Sequence, residues 1–383
     1  MNIWNDFHRL STLSVSFVNN SSSKNATIFG NNNNQVAIFV KVKVLGVNGS
    51  ELDIPKDELI KNCTLIKYST GEKLPFKSHS SWYYTDIEND FNLAVSYSNF
   101  QSSNAQSDEH INKNGVSSII YYLSASDISD GLDIAVSLNV PGVGEFNTTA
   151  DGTSTKNGPN GTSGSIFKSP SFVHVNAIAS INYSRLENIT VNNMPTSFDS
   201  FEHVVKDMLV KWGDKPHYVG ISSKTNVTIT PKESSFKFKK IDIRRNNVSQ
   251  GFKIAGDGFC DMLWGVGGGN FDTQFIFINK KNYGLLPGNT IRAFSKTGKQ
   301  WLYHYKIGES DWRHQFNDDV ESGIIKISIC NHRIPVNGLY HYDKEWRNEG
   351  SPIKIDVKDT YGNEGTITIK ALEQFWPELQ VNV

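Results

Sequence analysis

Aromatic residues recur at every second position in the segment 299–319, whose sequence is KQWLYHYKIGESDWRHQFNDD. In a strand, Trp301, Tyr303 and Tyr305 project from one face, because side chains alternate between the two faces of a sheet. Exposed Trp and Tyr rings can stack on the apolar faces of sugars, and they are frequent anchors at protein interfaces. The spacing therefore indicates a recognition surface, and the competing interpretation is that these rings fill the core of a sheet.

Polar residues and further rings flank this stretch as far as position 346. Asp, Arg and His side chains can form hydrogen bonds with hydroxyl groups of a ligand. Rings in polar loops have less core to fill than rings in strands, which favours a binding role for them. We therefore predict a binding site whose candidate residues are Trp301, Tyr303, Asp311, Trp312, Arg313, His314, Asp318, Tyr340, Tyr342 and Trp346.

Two groups of residues have the chemistry of metal ligands. His341, Asp343 and Glu345 alternate along the chain, so that a strand would bring them to one face. An imidazole with two carboxylates suits zinc or another first-row transition metal, and the alternative is an exposed polar strand end. Asp318 and Asp319 offer the hard oxygen ligands that calcium prefers. Because calcium needs oxygens from several segments, we predict no cofactor and keep calcium as an alternative.

The sequence lacks the short motifs that mark common active sites. It contains no His-Glu-x-x-His, no Gly-x-Ser-x-Gly and no Walker phosphate-binding loop. The carboxylates of Asp257, Asp311 and Asp343 are the best candidates for a glycan hydrolase, which uses a pair of such groups. We predict a protein without enzymatic activity and retain the hydrolase as an alternative.

The composition is that of a folded protein with little net charge. The 383 residues are 38% hydrophobic and 20% charged, with a net charge of −1, so no nucleic-acid partner is expected. The segment 1–17 lacks the features of a secretory signal, and no apolar run reaches the roughly 18 residues of a transmembrane helix. We expect synthesis in the cytoplasm, with non-classical export or release by lysis.

Alternating hydrophobic and polar residues predict β-strands along most of the chain, as in QVAIFVKVKVLGV (35–47). Many such segments, separated by Gly-rich turns, favour an all-β fold of tandem antiparallel β-sandwich domains of the immunoglobulin-like type. We predict an N-terminal sandwich at 1–150, a Gly/Ser/Thr-rich linker or long loop at 151–168, and a C-terminal sandwich at 169–383.

One segment of the C-terminal domain has helical spacing instead. Between 197 and 212, apolar residues that include Phe201, Val205 and Leu209 recur every three or four positions. Gly213 follows directly, as is common after the end of a helix. The pattern predicts one amphipathic helix at 197–212.

Three segments resemble known proteins: IKYSTGEKLPF (66–76), WYYTDIENDF (82–91) and DVKDTYGNEGTITI (356–369). They are similar to segments of uncharacterised all-β proteins of insect-associated and plant-associated gammaproteobacteria. The resemblance implies a bacterial source and a role in host association or virulence. It carries no catalytic motif and no functional residue.

These patterns together predict a non-enzymatic recognition protein that binds a glycan or a protein receptor on a host or partner surface. A bacterial toxin component and an adhesin both fit that description. The first alternative is a self-assembling subunit of an inclusion, a fibre or an appendage, because near-zero net charge favours association into a homo-oligomer. The second alternative is the glycan-acting hydrolase.

Overall fold

The computed structural model divides the chain into two compact units that consist mostly of β-strands. The first unit contains Met1–Ile181 and Thr360–Asn363, and the second contains Asn182–Asp359 and Glu364–Val383. The prediction of an all-β, sandwich-type fold is confirmed. The structure describes residues 3–97, 116–158, 171–196, 209–210, 220–244, 259–267, 270–278, 282–285, 290–293, 303–306, 313–316, 323–335, 345–347, 353–371 and 379–382.

The first unit opens with a short 3-10 helix, Ile3–Asp6. One α-helix, α1 (Lys56–Asn62), is present in its described part. Its strands are β1 (Phe7–Phe17), β2 (Asn25–Phe29), β3 (Val36–Gly46), β4 (Glu51–Leu52), β5 (Cys63–Lys67), β6 (Trp82–Thr85), β7 (Ser96–Tyr97), β8 (Ser117–Ala125), β9 (Ser129–Val140), β10 (Gly144–Asn147) and β11 (Val173–Ile178).

The strands of the first unit form two sheets. One has the order β1-β3-β8-β6 with β4 beside β3, and the other has the order β10-β9-β11-β2-β7 with β5 beside β9. The pair β2–β11 is parallel, whereas the other strand pairs of this unit are antiparallel. Each sheet contributes to a single hydrophobic cluster, so the two sheets pack as a sandwich.

Alternation of side chains along the strands builds this core. On β3, every second side chain is fully buried, and these residues are Val36, Ile38, Val40, Val42 and Val44. Burying one such side chain stabilises a fold by about 1.5–3 kcal/mol, so a shift of register by one residue would be costly. The hydrophobic pattern of the sequence therefore fixes which face of each strand is turned outwards.

Part of the segment predicted as a linker, 151–168, packs within the first unit. Thr153 is buried, and Asn157 forms two hydrogen bonds with the backbone of Leu10 on β1. The Leu10 N–H donates to Oδ1 of Asn157 at 2.8 Å, and Nδ2 of Asn157 donates to the Leu10 carbonyl at 2.9 Å. The remainder of the segment, 159–168, lies outside the described residues. The first unit continues through β11 to Ile181.

The second unit contains a short 3-10 helix, Leu186–Asn188, and the remaining strands. These are β12 (Ile189–Thr196), β13 (Leu209–Val210), β14 (Gly220–Pro231), β15 (Phe238–Arg244), β16 (Phe259–Gly267), β17 (Asn270–Ile278), β18 (Asn282–Leu285), β19 (Thr290–Ala293), β20 (Tyr303–Lys306), β21 (Arg313–Phe316), β22 (Ile325–Pro335), β23 (Glu345–Arg347), β24 (Ile353–Asp359), β25 (Glu364–Ala371) and β26 (Leu379–Asn382).

The described strands of the second unit form antiparallel sheets. The largest has the order β12-β14-β22-β17-β16-β23, and a four-stranded sheet has the order β15-β24-β25-β26. Two smaller sheets have the orders β13-β20-β19 and β18-β21. Alternate residues of β24 and β25 are buried, so these two strands follow the same period-two rule as those of the first unit.

The helix predicted at 197–212 is wrong over the part that the structure describes. Leu209 and Val210 form β13 and pair with Lys306 and Tyr305 of β20, so backbone pairing between distant segments overrides the local helical spacing. Positions 197–208 and 211–212 lie outside the described residues. No helix within the described ranges is long and apolar enough to span a membrane.

A buried tyrosine–aspartate pair connects β24 to the start of the second unit. Tyr183 and Asp359 are both fully buried, and the Tyr183 hydroxyl donates to Oδ2 of Asp359 at 2.8 Å. Burial and the adjacent carboxylate both raise the pKa of Tyr183 above its usual value. The Tyr183 ring meets Phe238 edge to face, with 5.2 Å between the centroids. The hydroxyl is therefore a neutral donor to a carboxylate inside the core.

We expect Tyr183→Phe to lower the free energy of unfolding by about 1.5–3 kcal/mol, because a buried carboxylate loses a hydrogen-bond donor while the ring is kept. The matched control is Tyr122→Phe, whose hydroxyl donates to Glu88 at the surface, at 3.1 Å. We expect that change to cost less than about 0.5 kcal/mol. Denaturant unfolding of both variants measures the difference, and equal losses would contradict the assignment.

Candidate functional site

The predicted binding residues that the structure describes lie in three different sheets. Tyr303 is in β20, Arg313 and His314 are in β21, and Trp346 is in the edge strand β23 opposite Gly265. Because these strands belong to different sheets, strand pairing does not place the predicted binding residues next to one another. The other predicted residues lie outside the described residues: Trp301, Asp311, Trp312, Asp318, Tyr340 and Tyr342. A site at 301–346 thus stays a prediction.

The predicted metal site and the predicted hydrolase carboxylates also stay predictions, because most of their residues are not described. Glu345 begins β23, whereas His341, Asp343 and Asp257 lie outside the described residues. Within the described ranges, no group of three or more His, Cys, Asp or Glu side chains is arranged to hold a metal ion.

The best-defined candidate site lies on the outer face of β11 in the first unit. Val173, Val175 and Ala177 are buried in the core, so the alternate residues of the segment face away from it. We call these alternate residues the outward row: Phe172, His174, Asn176 and Ile178. The row runs from position 172 to position 178, which is six residue steps or about 20 Å along the chain.

His174 is held between two oxygen atoms at the centre of the outward row. Its Nδ1 lies 2.7 Å from Oδ1 of Asp133, which is directly opposite on β9, and its Nε2 lies 3.0 Å from Oδ1 of Asn176. Both contacts are donated at once by the imidazolium form, whereas the neutral ring donates from one nitrogen. The side chains of His174 and Asp133 remain 30% and 41% exposed, so a ligand can reach them.

A pair of stacked rings lies at one end of the outward row. The centroids of Tyr68 and Phe172 are 4.2 Å apart, with 25° between the ring planes. Tyr68 follows β5, and its N–H donates to the carbonyl of Asp133 at 2.8 Å, which continues the pairing of β5 with β9. Both rings are partly exposed. The carboxylate and the imidazole are therefore adjacent to an aromatic surface.

The other end of the outward row is apolar. Ile178 is 39% exposed, and Ile128, just before β9, is 64% exposed. The register pairs Ala177 with Ser129, so these two isoleucines belong to neighbouring strand ends. The face consequently offers rings, a polar centre and an aliphatic end in sequence, and such mixed surfaces are typical of recognition sites.

Gly131 gives His174 the space that it occupies. This glycine has a φ of +122°, and a Cβ atom at this position would lie 2.4 Å from Nε2 of His174. An L-residue at position 131 is therefore disfavoured by its backbone conformation and by the imidazole. The absence of a side chain on β9 lets the ring lie against the strand between Asp133 and Asn176.

The Asp133–His174 pair resembles the part of a catalytic triad in which a carboxylate orients an imidazole. In a triad, the second ring nitrogen faces a hydroxyl or thiol nucleophile. Here Asn176 occupies that position, and an amide is not a nucleophile for acyl transfer. The arrangement is suited to binding polar groups through an imidazole, a carboxylate and an amide.

The sequence contained part of the signal for this site. The segment FVHVNAIAS alternates, and this alternation predicts a strand with Phe172, His174 and Asn176 on one face. The contacts of that face with Tyr68 and Asp133 depend on the order of strands in the sheet, which local patterns do not reveal. Local alternation therefore predicts the strand but not the site.

We expect Gly131→Ala to displace His174 from Asp133 and to lower the free energy of unfolding by about 1–3 kcal/mol. Gly142→Ala is the control, since Gly142 has a φ of +80° but a Cβ atom there meets no atom within 4 Å. The free energy of unfolding that this control loses should reflect the left-handed backbone conformation without a steric contact to another side chain. Thermal unfolding and the imidazole NMR signals of His174 measure both effects. An unchanged His174 signal in Gly131→Ala would show that the glycine does not support the ring.

Comparison with known proteins adds no functional assignment. No protein family matches this chain, and neither a curated protein nor a solved structure does. The resemblance to proteins of gammaproteobacteria therefore stays an expectation. The candidate site is therefore supported by the geometry of its residues and not by similarity to another protein.

Proposed function

We propose that this chain is a non-enzymatic recognition protein and that the outward row binds a glycan. The observation that carries the proposal is the placement of the Tyr68–Phe172 ring pair beside the exposed imidazole and carboxylate of His174 and Asp133. The apolar face of a sugar ring can stack on such an aromatic surface. The adjacent polar groups can bond its hydroxyl groups, which both donate and accept hydrogen bonds.

The chemistry of the row favours a glycan over a protein receptor. Stable protein interfaces contain a desolvated centre that is depleted in charged residues, and hydrophobic or aromatic anchors occupy it. Here the centre is polar and contains Asp133 and His174, and the apolar groups lie at the two ends. The resemblance implies host association or virulence, and a role as an adhesin or a toxin component is the biological setting that we propose for this binding.

The test is a glycan array followed by affinity measurement on the glycans that bind. We expect Tyr68→Ala together with Phe172→Ala to weaken binding at least about fivefold, because two ring contacts of about 0.5–1.5 kcal/mol each are removed. Phe76→Ala is the matched control, since Phe76 is a partly exposed ring that also packs on a tyrosine, Tyr84, at 5.1 Å. This control should bind like the wild type.

A second double variant, Trp312→Ala with Trp346→Ala, tests the site predicted in the second unit. If it alone abolishes glycan binding, recognition is retained but the outward row is not the site. Binding to cells that persists after their glycans are removed would identify a protein receptor instead. If the folded wild-type protein binds neither glycans nor cells, the recognition proposal is wrong.

A further inference from the structure

The stacked rings of Tyr68 and Phe172 extend across β9. Tyr68 directly follows β5 and Phe172 directly precedes β11, and these two strands pair with opposite edges of β9. The strands that flank β9 are twice the strand spacing apart, or about 10 Å. The ring centroids are nevertheless only 4.2 Å apart, so the two side chains meet above β9. We call this ring pair the aromatic bridge.

The aromatic bridge lies over a pair of apolar residues on the outer face of this sheet. Ala135 of β9 pairs with Ile66 of β5, and both alternate with core residues of their strands, so both face outwards. Both are nevertheless fully buried. Tyr68 is two positions beyond Ile66 on the same face, and its stack covers the pair. The bridge therefore crosses β9 between Asp133 and Ser137, the outward residues on either side of Ala135.

A second polar group lies on the side of the bridge away from His174. Glu145 and Asn147 are on either side of the core residue Phe146 on β10, so they face outwards. The register places Glu145 opposite Asn139 of β9. We call Asn139, Glu145 and Asn147 the distal cluster. Because β10 and β11 pair with the same edge of β9, one after the other, the distal cluster continues the line of the outward row.

Hydrogen bonds orient the distal cluster and leave part of it for a ligand. The Ser137 hydroxyl donates to Oε1 of Glu145 at 2.7 Å. Oδ1 of Asn147 accepts from the N–H and the hydroxyl of Thr149, at 3.2 and 2.7 Å. Within the described part of the chain, Oε2 of Glu145 and Nδ2 of Asn147 form no hydrogen bond, and Glu145 and Asn139 are exposed. The cluster thus offers an oriented acceptor and an oriented donor, and a sugar hydroxyl can bond both kinds of group.

We propose that the ligand is a linear oligosaccharide whose sugar units bind on both sides of the aromatic bridge. This inference rests on the proposed glycan function of the outward row. Asp133 and Asn139 are six residue steps apart on β9, or about 20 Å, which exceeds the length of one sugar ring. One unit bonds His174 and Asp133, the following units stack on the bridge, and a further unit bonds the distal cluster. Because linked units bind the second cluster intramolecularly, affinity rises with chain length.

Oligosaccharides of increasing length test the proposal. The probes are linear oligomers of glucose, galactose, mannose and N-acetylglucosamine, each from the monosaccharide to the hexasaccharide, and calorimetry with the intact chain measures their affinities. In at least one series we expect affinity to rise with length. The distal variant, Asn139→Ala with Glu145→Ala, should bind the hexasaccharide of that series about fivefold more weakly or worse, because hydrogen bonds to the distal cluster are lost. Its affinity for the shortest member that binds should be unchanged.

The matched control is Asn48→Ala with Glu51→Ala, at the β3–β4 hairpin of the other sheet. There Glu51 forms an ion pair with Lys43, just as Glu145 holds Ser137 in the distal cluster. The control should bind every member of the series like the wild type. If circular dichroism shows that the distal variant is unfolded, Glu145→Gln replaces Glu145→Ala, because the amide oxygen can still accept from Ser137.

Three results would overturn the oligosaccharide proposal and leave glycan recognition intact. They are an affinity that does not change with length, a rise with length that persists in the distal variant, and an equal loss for the shortest and the longest members. Binding of no member of any series would overturn it as well. The recognition proposal itself fails only when the wild-type protein binds neither the glycan array nor cells, so the two failures are distinguishable.

Discussion

The register of β11 is the constraint on which the candidate site depends. Val173, Val175 and Ala177 are driven into the core of the first unit, and this burial turns His174 and Asn176 outwards. Pairing with β9 then places Asp133 directly opposite His174. A shift by one residue would bury the imidazole and expose the valines, so core packing and site geometry are specified together.

Glycines with left-handed backbone conformations have related roles in two places of the first unit. At Gly131 the missing side chain admits the imidazole of His174, and at Gly362 it admits the side chain of Asn33. A Cβ atom would lie 2.4 Å from Nε2 of His174 at Gly131 and 2.2 Å from Cβ of Asn33 at Gly362, and hydrogen bonds hold both of these side chains in place. Both of these polar contacts thus depend on a close approach to a backbone position that lacks a side chain.

The sequence was sufficient to predict the all-β fold, because the period-two alternation of segments such as 35–47 has a direct physical cause in burial. It did not predict that Leu209 and Val210 pair with β20, since their helical spacing is local and the strand pairing is not. It also missed the Asp133–His174 contact, which joins residues 41 positions apart through the strand order. Local periodicity specifies which face of a strand is buried, whereas topology specifies which outward residues meet.

The most direct measurement of the central claim is the NMR spectrum of the histidine side chains during titration with a glycan that binds. Comparison with His174→Gln assigns the His174 signals among those of the 10 histidines. We expect the His174 signals to move in proportion to the bound fraction, while those of His79, which packs on Tyr83 elsewhere in the first unit, stay constant. Saturating glycan that leaves the His174 signals unchanged would contradict the assignment of the outward row as the recognition site.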